Sequence, residues 1–299
     1  MLLLSVIIVS YNTKDLILQC IDSLYKQKQM PGTLEIIVVD NASGDGSVQA
    51  IRDVYPKVKI VANKVNAGFS KANNQGVAKA KGPFVLFLNP DTVVYPYTIS
   101  TMLTFMDQHP ECGMATCRLE MPNGKIDDAS HRGFPTPWNS FSHFSGLARL
   151  FPKTRLFGGY NMGYMDIHKT HEVDAIAGAC MFVRRDAGDA VGWWDEDYFW
   201  YGEDLEFCYQ IKKKGWKIYY VPDVSILHYK GVSGGLKSVS KDISTADKET
   251  KLRATRARFE AMRIFYRKHY LQTYPPLLTT LVFQGITLLE WAATKKYSR

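Results

Sequence analysis

Apolar runs and helical patterns alternate along the first third of the chain. Short continuous apolar runs are typical of strands that are covered on both faces of a parallel sheet. Between these runs, apolar residues recur at helical spacing and stop at Gly or Pro. This alternation predicts an α/β fold with a doubly wound, mainly parallel sheet and helices on both faces. The predicted strands are Leu3–Val9, Leu34–Val39, Val58–Ala62 and Phe84–Leu88, and the predicted helices are Asp15–Gln27, Ser47–Val54 and Ser70–Lys81.

The pattern loosens after residue 110. Residues 121–172 are rich in Gly, Pro, His and aromatic residues, and we expect loops and short helices there. We divide the chain into residues 1–110, residues 111–235 as the second half of the same domain, and a helical extension at 236–299. The later predicted elements are the strands Ala175–Arg184, Lys217–Val221 and Ser225–His228, the helices Glu203–Lys214 and Lys251–Tyr270, a loop at 233–249, and a last apolar stretch at Leu277–Ala293.

The net charge of +8 lies entirely in the C-terminal extension. Residues 236–299 hold 13 Lys and Arg against 5 Asp and Glu, whereas residues 1–235 are neutral. A basic, apolar-interleaved segment suits an anionic membrane surface, although a solvated helical face has the same composition. Leu277–Ala293 contains Gln284 and Glu290 and is shorter than the roughly 20 apolar residues of a spanning helix, so we expect it to lie on a membrane or pack on the body.

Other partners and compartments are constrained by what the sequence contains. Nucleic acid is not expected, because the body has no zinc-ligand spacing, RNA-binding signature or basic stripe. Five cysteines without a CxxC pair indicate reduced thiols in a cytosolic compartment. The N-terminal apolar run has no basic segment before it and no small-residue cleavage site after it, so we interpret it as a buried strand.

Two acidic residues follow predicted parallel strands. Asp40 precedes small residues that let a ligand approach the backbone, and its carboxylate could accept a hydrogen bond from a ribose hydroxyl or a pyrimidine N–H, or cap the next helix. Asp91 closes Asn89-Pro90-Asp91, where a carboxylate could anchor Mg²⁺ or Mn²⁺ with a diphosphate, or form a turn. If both strands point the same way, the two carboxylates meet in one crevice.

A further acidic pair and a histidine complete the candidate chemistry. Glu203 and Asp204 suit a helix N-terminus because of the helix dipole, but they follow the aromatic-rich loop Trp193–Tyr201, which could form a sugar-binding wall beside a general base. His228 at a strand end is either a structural residue or a metal ligand that favours Mn²⁺ without excluding Mg²⁺. Weaker signals are Asn66–Phe69, Asn73, His131-Arg132 and Arg184-Arg185.

In their order along the chain, these motifs resemble the family 2 glycosyltransferases, the inverting enzymes with the GT-A fold. The chain looks most like the bacterial branch that includes rhamnosyltransferases of surface-polysaccharide assembly. The resemblance covers roughly residues 4–233 and depends on several motifs together. They are Ser5–Asn12, Val38–Ser43, Asn66–Phe69 with Asn73 and Gly76, Leu88–Asp91, Gly178–Arg185, Tyr201–Glu206, and His228 with Gly231 and Ser233.

The resemblance implies a role for each matching position. Asp204 would be the general base, and Glu203 would orient it or an acceptor hydroxyl. Asp91 would hold the divalent metal, Mg²⁺ or Mn²⁺, with the diphosphate and His228, because Asn89 replaces the first acid of the family's Asp-x-Asp-like motif. The nucleotide would be bound by Ser10, Tyr11, Asn12, Asp40, Asn66, Gly68 and Asn89, with Asp40 at the pyrimidine base.

The implied function is transfer of a sugar from a nucleoside-diphosphate donor to an acceptor hydroxyl. Residues 1–110 would bind the nucleotide-sugar, and residues 111–235 would bind the acceptor and carry the catalytic residues. Asp127–Thr136 resembles a segment of the rhamnosyltransferase-like branch, which favours dTDP-rhamnose over UDP-sugars. The acceptor would be a saccharide or lipid-linked saccharide of cell-surface polysaccharide synthesis, and the enzyme would be cytoplasmic, peripheral on the inner membrane face.

Two other functions are compatible with parts of the sequence. A sugar-phosphate nucleotidylyltransferase shares the alternating sheet, but it would need a Gly-rich N-terminal phosphate loop with basic residues, which Ser10–Thr13 is not. A non-catalytic, membrane-associated binding module would be favoured by loss of Asp91 or Asp204, and both acids are present.

Overall fold

The computed structural model describes residues 1–231 and 246–297. The strands are β1 (Leu2–Ser10), β2 (Thr33–Asp40), β3 (Lys59–Ala62), β4 (Phe84–Leu88), β5 (Thr92–Val94), β6 (Cys112–Glu120), β7 (His171–Glu172), β8 (Cys180–Arg184) and β9 (Lys217–His228). The helices are α1 (Lys14–Tyr25), α2 (Ser47–Val54), α3 (Phe69–Val77), α4 (Thr98–Gln108), α5 (Pro137–Phe144), α6 (Leu147–Leu150), α7 (Arg185–Val191), α8 (Glu203–Lys213), α9 (Lys248–His269) and α10 (Pro276–Thr294).

The predicted parallel half of the sheet is present. All these strands form one sheet in the order β3-β2-β1-β4-β8-β6-β9-β5, with β7 paired to β9. Strands β3, β2, β1 and β4 are mutually parallel, and Ser10 stands in register with Asp40. The carboxyl ends of these strands therefore lie at one edge of the sheet, as the sequence predicted. The α/β fold class is confirmed.

The other half of the sheet is mixed. Strand β8 runs antiparallel to both β4 and β6, whereas β6 and β9 are parallel. The two strands predicted at 217–221 and 225–228 are one strand, β9, whose register shifts as Val221 pairs with Cys117 and Ser225 with Arg118. Strand β8 begins only at Cys180, and not at Ala175 as predicted. Strand β6 and helix α4 were not predicted.

Helices cover both faces of the sheet. Alternate residues of a strand point to opposite faces. On one face, Val6 and Ile8 of β1 share a buried cluster with apolar residues of α1, α2 and α4. On the other face, Ile7 packs with residues of α7 and α8, and Val9 with Ala72 of α3. The helices packed on both faces of the sheet hold in place the strand ends that carry the candidate site. All five cysteines are buried and free.

The C-terminal extension is a pair of packed helices. Helix α9 buries Phe259, Phe265 and Tyr266, whereas α10 buries only Ile286. By length and composition alone, α10 is long and apolar enough to cross a bilayer, although Leu277–Ala293 was predicted to be too short, because Glu290 is its single charged residue. That it lies on a membrane or packs on the body stays a prediction. Most of the predicted loop at 233–249 lies outside the described residues, as do Ser233 and the domain boundary at 235. The division at residue 110 stays a prediction.

Candidate active site

The first group of predicted residues lies at the ends of β1 and β2. Asp40 is 3% exposed, and its Oδ2 accepts a hydrogen bond of 2.9 Å from the Ser43 backbone N–H. Its Oδ1 is buried and has no hydrogen-bond partner. Ser10 is buried beside it and shares a side-chain hydrogen bond of 2.9 Å with Thr13. Asp40 therefore presents an unused acceptor, which is unfavourable unless a ligand donates to it.

The neighbouring loops close around this edge. Asn12 links the loop after β1 to the loop after β2, because its backbone N–H donates to Ser43 Oγ and its Oδ1 accepts from the Gly44 N–H. Tyr11 is 42% exposed. Asn66 Oδ1 accepts a hydrogen bond of 3.0 Å from the Gly68 N–H. These contacts order the loops around Asp40.

Gly68 brings a second loop to this edge. Its φ of +86° lies in the left-handed region, and a Cβ there would come within 2.8 Å of the Phe199 ring. The next residue, Phe69, donates its backbone N–H to the Phe199 carbonyl at 3.1 Å.

The predicted sugar-binding wall is wrong for Trp194 and Tyr198, because both are core residues with 2% exposure. Phe199, 46% exposed, remains available at the surface.

Two carboxylates flank His228 at the carboxyl end of β9, which runs in the same direction as β1, β2 and β4. Because Thr92 pairs with His228, Asp91 is next to this histidine. His228 Nε2 lies 3.5 Å from Asp91 Oδ1, and its Nδ1 lies 3.5 Å from Asp127 Oδ2. Burial lowers the pKa of His228, but the two carboxylates outweigh burial and raise it to about 9. Lys230 also forms an ion pair with Asp127. Asp127 was not predicted from the sequence to be a site residue.

These residues fit a metal that is held jointly with a diphosphate. The side chains of Asp91 and His228 are less than a tenth exposed, and neither ring nitrogen of His228 has a hydrogen bond of normal geometry. Within the described ranges, no group of three or more His, Cys, Asp and Glu side chains could hold an ion alone. One or two protein ligands completed by water and substrate phosphates are usual for Mg²⁺.

The acidic pair begins helix α8. The side chain of Asp204 is 17% exposed and is ion-paired with Arg132, which is 13% exposed. Its Oδ1 accepts from the Leu205 N–H at 2.8 Å. Glu203 is buried, and its Oε2 has no hydrogen-bond partner. Burial, followed by the charge of Asp204, raises the pKa of Glu203 to about 8. Both effects favour the protonated form of Glu203.

The partner of Asp204 is Arg132, one of the weaker sequence signals. A pair of backbone hydrogen bonds of 3.1 and 2.9 Å ties it to Ala175, across the loop that leads into β8. This pairing brings the guanidinium to Asp204, 72 residues away in sequence. No local pattern could reveal the contact, because it depends on how the two loops pair.

Hydrogen bonds to the segment before β8 connect Asp204 with Asn89, which lies two residues before the metal-binding candidate Asp91. Asn89 donates its N–H to the Ala179 carbonyl at 3.0 Å, and the neighbouring Gly178 N–H points to Asp204 Oδ2 at 3.4 Å. The end of β4 and the start of α8 are thus joined through Gly178 and Ala179, the two residues before β8. Asn89 and Asp204 lie on the two sides of this connection. Because β1, β2, β4 and β9 run in the same direction, the predicted residues at their carboxyl ends lie at this same edge of the sheet.

A cavity of about 1270 Å³ opens from the acidic pair towards the C-terminal helices. We call it the α5–α10 cavity. Its wall combines charged residues with apolar residues of α5, α9 and α10. The charged residues in its wall are Asp128, Arg132, Glu203, Asp204, Lys230 and Arg258, and the apolar ones include Trp138, Phe141, Phe144, Met262, Phe265, Leu278, Leu281, Val282, Ile286 and Leu289.

A sheet with acids at its strand ends, beside a large cavity, is typical of α/β proteins that bind a ligand at the carboxyl edge. Residues 5–171 match the model of glycosyl transferase family 2, which is more than half of the chain. The chain belongs to this family, and it is a glycosyltransferase. This assignment argues against both the nucleotidylyltransferase and the non-catalytic binding module.

Relatives and solved structures agree with this assignment. The N-acetylglucosaminyl-diphospho-decaprenol L-rhamnosyltransferase of Mycobacterium tuberculosis is 28% identical over 243 residues, which are 78% of each chain. TarS 1–349 of S. aureus, solved with UDP, is 19% identical with a TM-score of 0.53, covering 87% of this chain and 65% of that one. The mannosyltransferase PcManGT of Pyrobaculum calidifontis, solved with GDP-Man and Mn²⁺, is 18% identical with a TM-score of 0.55, covering 99% and 87%. The two structures show that the fold is shared.

Proposed function

We propose that the enzyme transfers a rhamnosyl or related hexosyl group from a nucleoside diphosphate to a saccharide hydroxyl, with inversion at the anomeric carbon. The observation that carries this proposal is the acidic pair at the mouth of the α5–α10 cavity. Glu203 and Asp204 line the cavity, while hydrogen bonds to the segment before β8 connect Asp204 with Asn89, two residues before Asp91. A donor at the strand ends and an acceptor in the cavity would meet at this pair.

Asp204 is the general base of this mechanism. As the acceptor oxygen forms its bond to the anomeric carbon, Asp204 takes the hydroxyl proton, and the bond from that carbon to the diphosphate breaks on the opposite face. This single displacement inverts the configuration without a covalent sugar–enzyme intermediate. Arg132 orients the carboxylate by its ion pair. Protonated Glu203 can donate a hydrogen bond that positions the acceptor oxygen.

Asp40 and the loops around it bind the nucleotide. The unused Oδ1 of Asp40 accepts the N3–H of a pyrimidine, which uracil and thymine share. Asp40 therefore does not select between UDP and dTDP donors. Ser10, Tyr11, Asn12, Asn66, Gly68 and Asn89 belong to the same edge of the sheet, and we assign them to the same nucleotide site.

Asp91 and His228 would hold a divalent metal together with the donor diphosphate. The bound metal would neutralise the charge that develops on the leaving diphosphate. The Mn²⁺ in the PcManGT complex supports this use of a metal. An imidazole ligand inclines the site towards Mn²⁺, and Mg²⁺ is the second candidate. Asn89 carries no negative charge, so Asp91 would supply most of the negative charge that the protein offers to the metal.

We favour dTDP-rhamnose as donor, followed by UDP-sugars, and a lipid-linked saccharide of cell-surface polysaccharide synthesis as acceptor. The name of the mycobacterial relative, which combines rhamnosyl transfer with a diphospho-decaprenol acceptor, supports both choices. The basic α9 and the exposed apolar α10 support a peripheral position on the cytoplasmic face of the membrane.

The experiment that tests this function is transfer with a panel of donors. The purified protein is incubated with dTDP-rhamnose, UDP-glucose, UDP-N-acetylglucosamine or GDP-mannose, an N-acetylglucosaminide acceptor and Mn²⁺ or Mg²⁺. We expect a disaccharide with inverted anomeric configuration by NMR, formed fastest from dTDP-rhamnose. Retention of configuration, or no product from any donor, would contradict the proposal.

A further inference from the structure

We propose that the α5–α10 cavity binds the diphosphate and the apolar chain of a lipid-linked acceptor, with Arg258 as the diphosphate ligand. This inference rests on the proposed function, because it assigns the part of the acceptor that does not react. It makes the C-terminal helices a wall of the acceptor site in addition to any membrane contact.

Of the arginine and lysine residues that line the cavity, Arg258 alone has no acidic partner among the residues that the structure describes. Arg132 is paired with Asp204 and Lys230 with Asp127, so both charges are already balanced. Arg258 lines the same cavity from α9, is exposed, and makes no hydrogen bond or ion pair with any part of the chain that the structure describes. A planar guanidinium is well suited to bind two phosphate oxygens at once.

Helix α9 packs directly against the residue that precedes the acidic pair. Gly202, directly before Glu203, has a φ of +85°, and a Cβ there would come within 2.8 Å of the Ala261 Cβ. Such close packing holds the α9 face that carries Arg258 near the start of α8. A saccharide between Asp204 and Arg258 would therefore present its reacting hydroxyl to the base and its linking phosphate to the guanidinium.

The rest of the cavity suits an apolar chain. Its volume of about 1270 Å³ exceeds the roughly 300–1,000 Å³ that is usual for pockets that bind drug-sized ligands. Trp138 and Phe141 of α5 face this space from one side and remain 46% and 56% exposed. Leu281 and Ile286 of α10 face it from the other.

The chemistry of the cavity and its surroundings identifies the occupant. A cavity wall that combines a guanidinium with many apolar side chains complements a ligand with a diphosphate followed by a hydrocarbon chain. The outer face of α10 continues the apolar surface, with Leu277 74% and Trp291 63% exposed. A chain that leaves the cavity along α10 would thus enter a bilayer on which α10 lies.

Two variants with matched controls test the assignment. Arg258→Ala removes the proposed phosphate ligand, and Arg256→Ala removes an exposed arginine of the same helix that is not in the cavity wall. Gly285→Phe puts a ring into the cavity, where a Cβ at Gly285 meets nothing within 4 Å. Gln284→Phe adds the same ring at the adjacent position, which does not line this cavity.

Three acceptors separate the contributions. They are N-acetylglucosaminyl-diphospho-decaprenol, the same compound with a short alkyl chain, and methyl N-acetylglucosaminide. We expect Arg258→Ala to raise KM about tenfold for both diphosphates and to leave the methyl glycoside unchanged. Gly285→Phe should raise KM about tenfold for the decaprenol compound alone. Both controls should behave as wild type, and thermal unfolding should confirm that all variants fold.

The outcomes distinguish this inference from the proposed function. If wild type uses the methyl glycoside as well as the decaprenol compound, or if each variant matches its control, the cavity assignment is wrong while the transfer reaction stands. If wild type transfers sugar to none of the three acceptors, the proposed function itself fails.

Discussion

The buried Glu203 should make the enzyme less stable as the pH rises, and Glu203→Gln should remove this dependence. In the folded protein burial and the charge of Asp204 raise the pKa of Glu203 from 4.5 to about 8. Between these values the folded state keeps a proton that the unfolded state has lost. A raised folded-state pKa of an acid gives stability that is present at low pH and is lost as the pH increases.

The magnitude follows from the width of this pH range. Each pH unit between the two pKa values corresponds to about 1.36 kcal/mol. From pH 5 to pH 7 the wild type should therefore lose roughly 2–3 kcal/mol that Glu203→Gln keeps. A glutamine amide at this buried position adds a constant offset, since its hydrogen bonds do not titrate. The change of the difference with pH is thus the diagnostic quantity.

Urea unfolding followed by tryptophan fluorescence at pH 5, 6 and 7 measures this difference. Glu206→Gln is the matched control on the same helix. Burial raises the pKa of Glu206, but hydrogen bonds from His269, Gln210 and Tyr198 outweigh it and lower the pKa. The stability that Glu206 contributes is therefore lost only as the pH falls below the ordinary pKa of 4.5, so between pH 5 and 7 Glu206→Gln should differ from wild type by a nearly constant amount. If the free energy of unfolding changed with pH in the same way for Glu203→Gln and wild type, the reasoning about the buried carboxyl would be refuted.

Three further predictions concern the metal, the nucleotide and the membrane. Asp91→Ala should weaken Mn²⁺ binding in the presence of donor at least tenfold by electron paramagnetic resonance, and unchanged affinity would remove Asp91 from the metal site. Asp40→Ala should weaken dTDP and UDP binding about tenfold by calorimetry, since one buried hydrogen bond is lost. If the variant bound both nucleotides as tightly as wild type, the pyrimidine would not be bound by Asp40. Leu277→Ser with Leu288→Ser should reduce sedimentation with anionic vesicles, while Leu150→Ser, also highly exposed, should not; unchanged sedimentation of the double variant would separate α10 from the membrane.

The parallel half of the fold could be predicted because its strands are apolar along their whole length. Strand β6 was missed, since Gly113, Thr116 and Arg118 interrupt the apolar pattern although most of the strand is buried. Strand β9 was divided in two because Pro222 and Asp223 resemble a turn. In the structure they lie in one strand whose register shifts at this point.

The candidate site was predictable to the extent that its residues follow strands or begin a helix. Asp40, Asp91 and Asp204 occupy such positions, and the topology then brings their ends to one edge. Arg132 and Asp127 could not be selected in the same way. Their importance comes from partners distant in sequence, Asp204 and His228, which only the tertiary structure brings near them.

Transfer by Asp204→Asn tests the central claim most directly. The substitution keeps the shape of the side chain and removes the general base, whose loss usually slows catalysis about 10²–10⁴-fold. Asp128→Asn, an exposed carboxylate of the same cavity wall, is the control. We predict that Asp204→Asn binds the donor as wild type does by calorimetry but transfers sugar at least about 100-fold more slowly. Normal turnover in a folded Asp204→Asn protein would contradict the account and place the base at another residue.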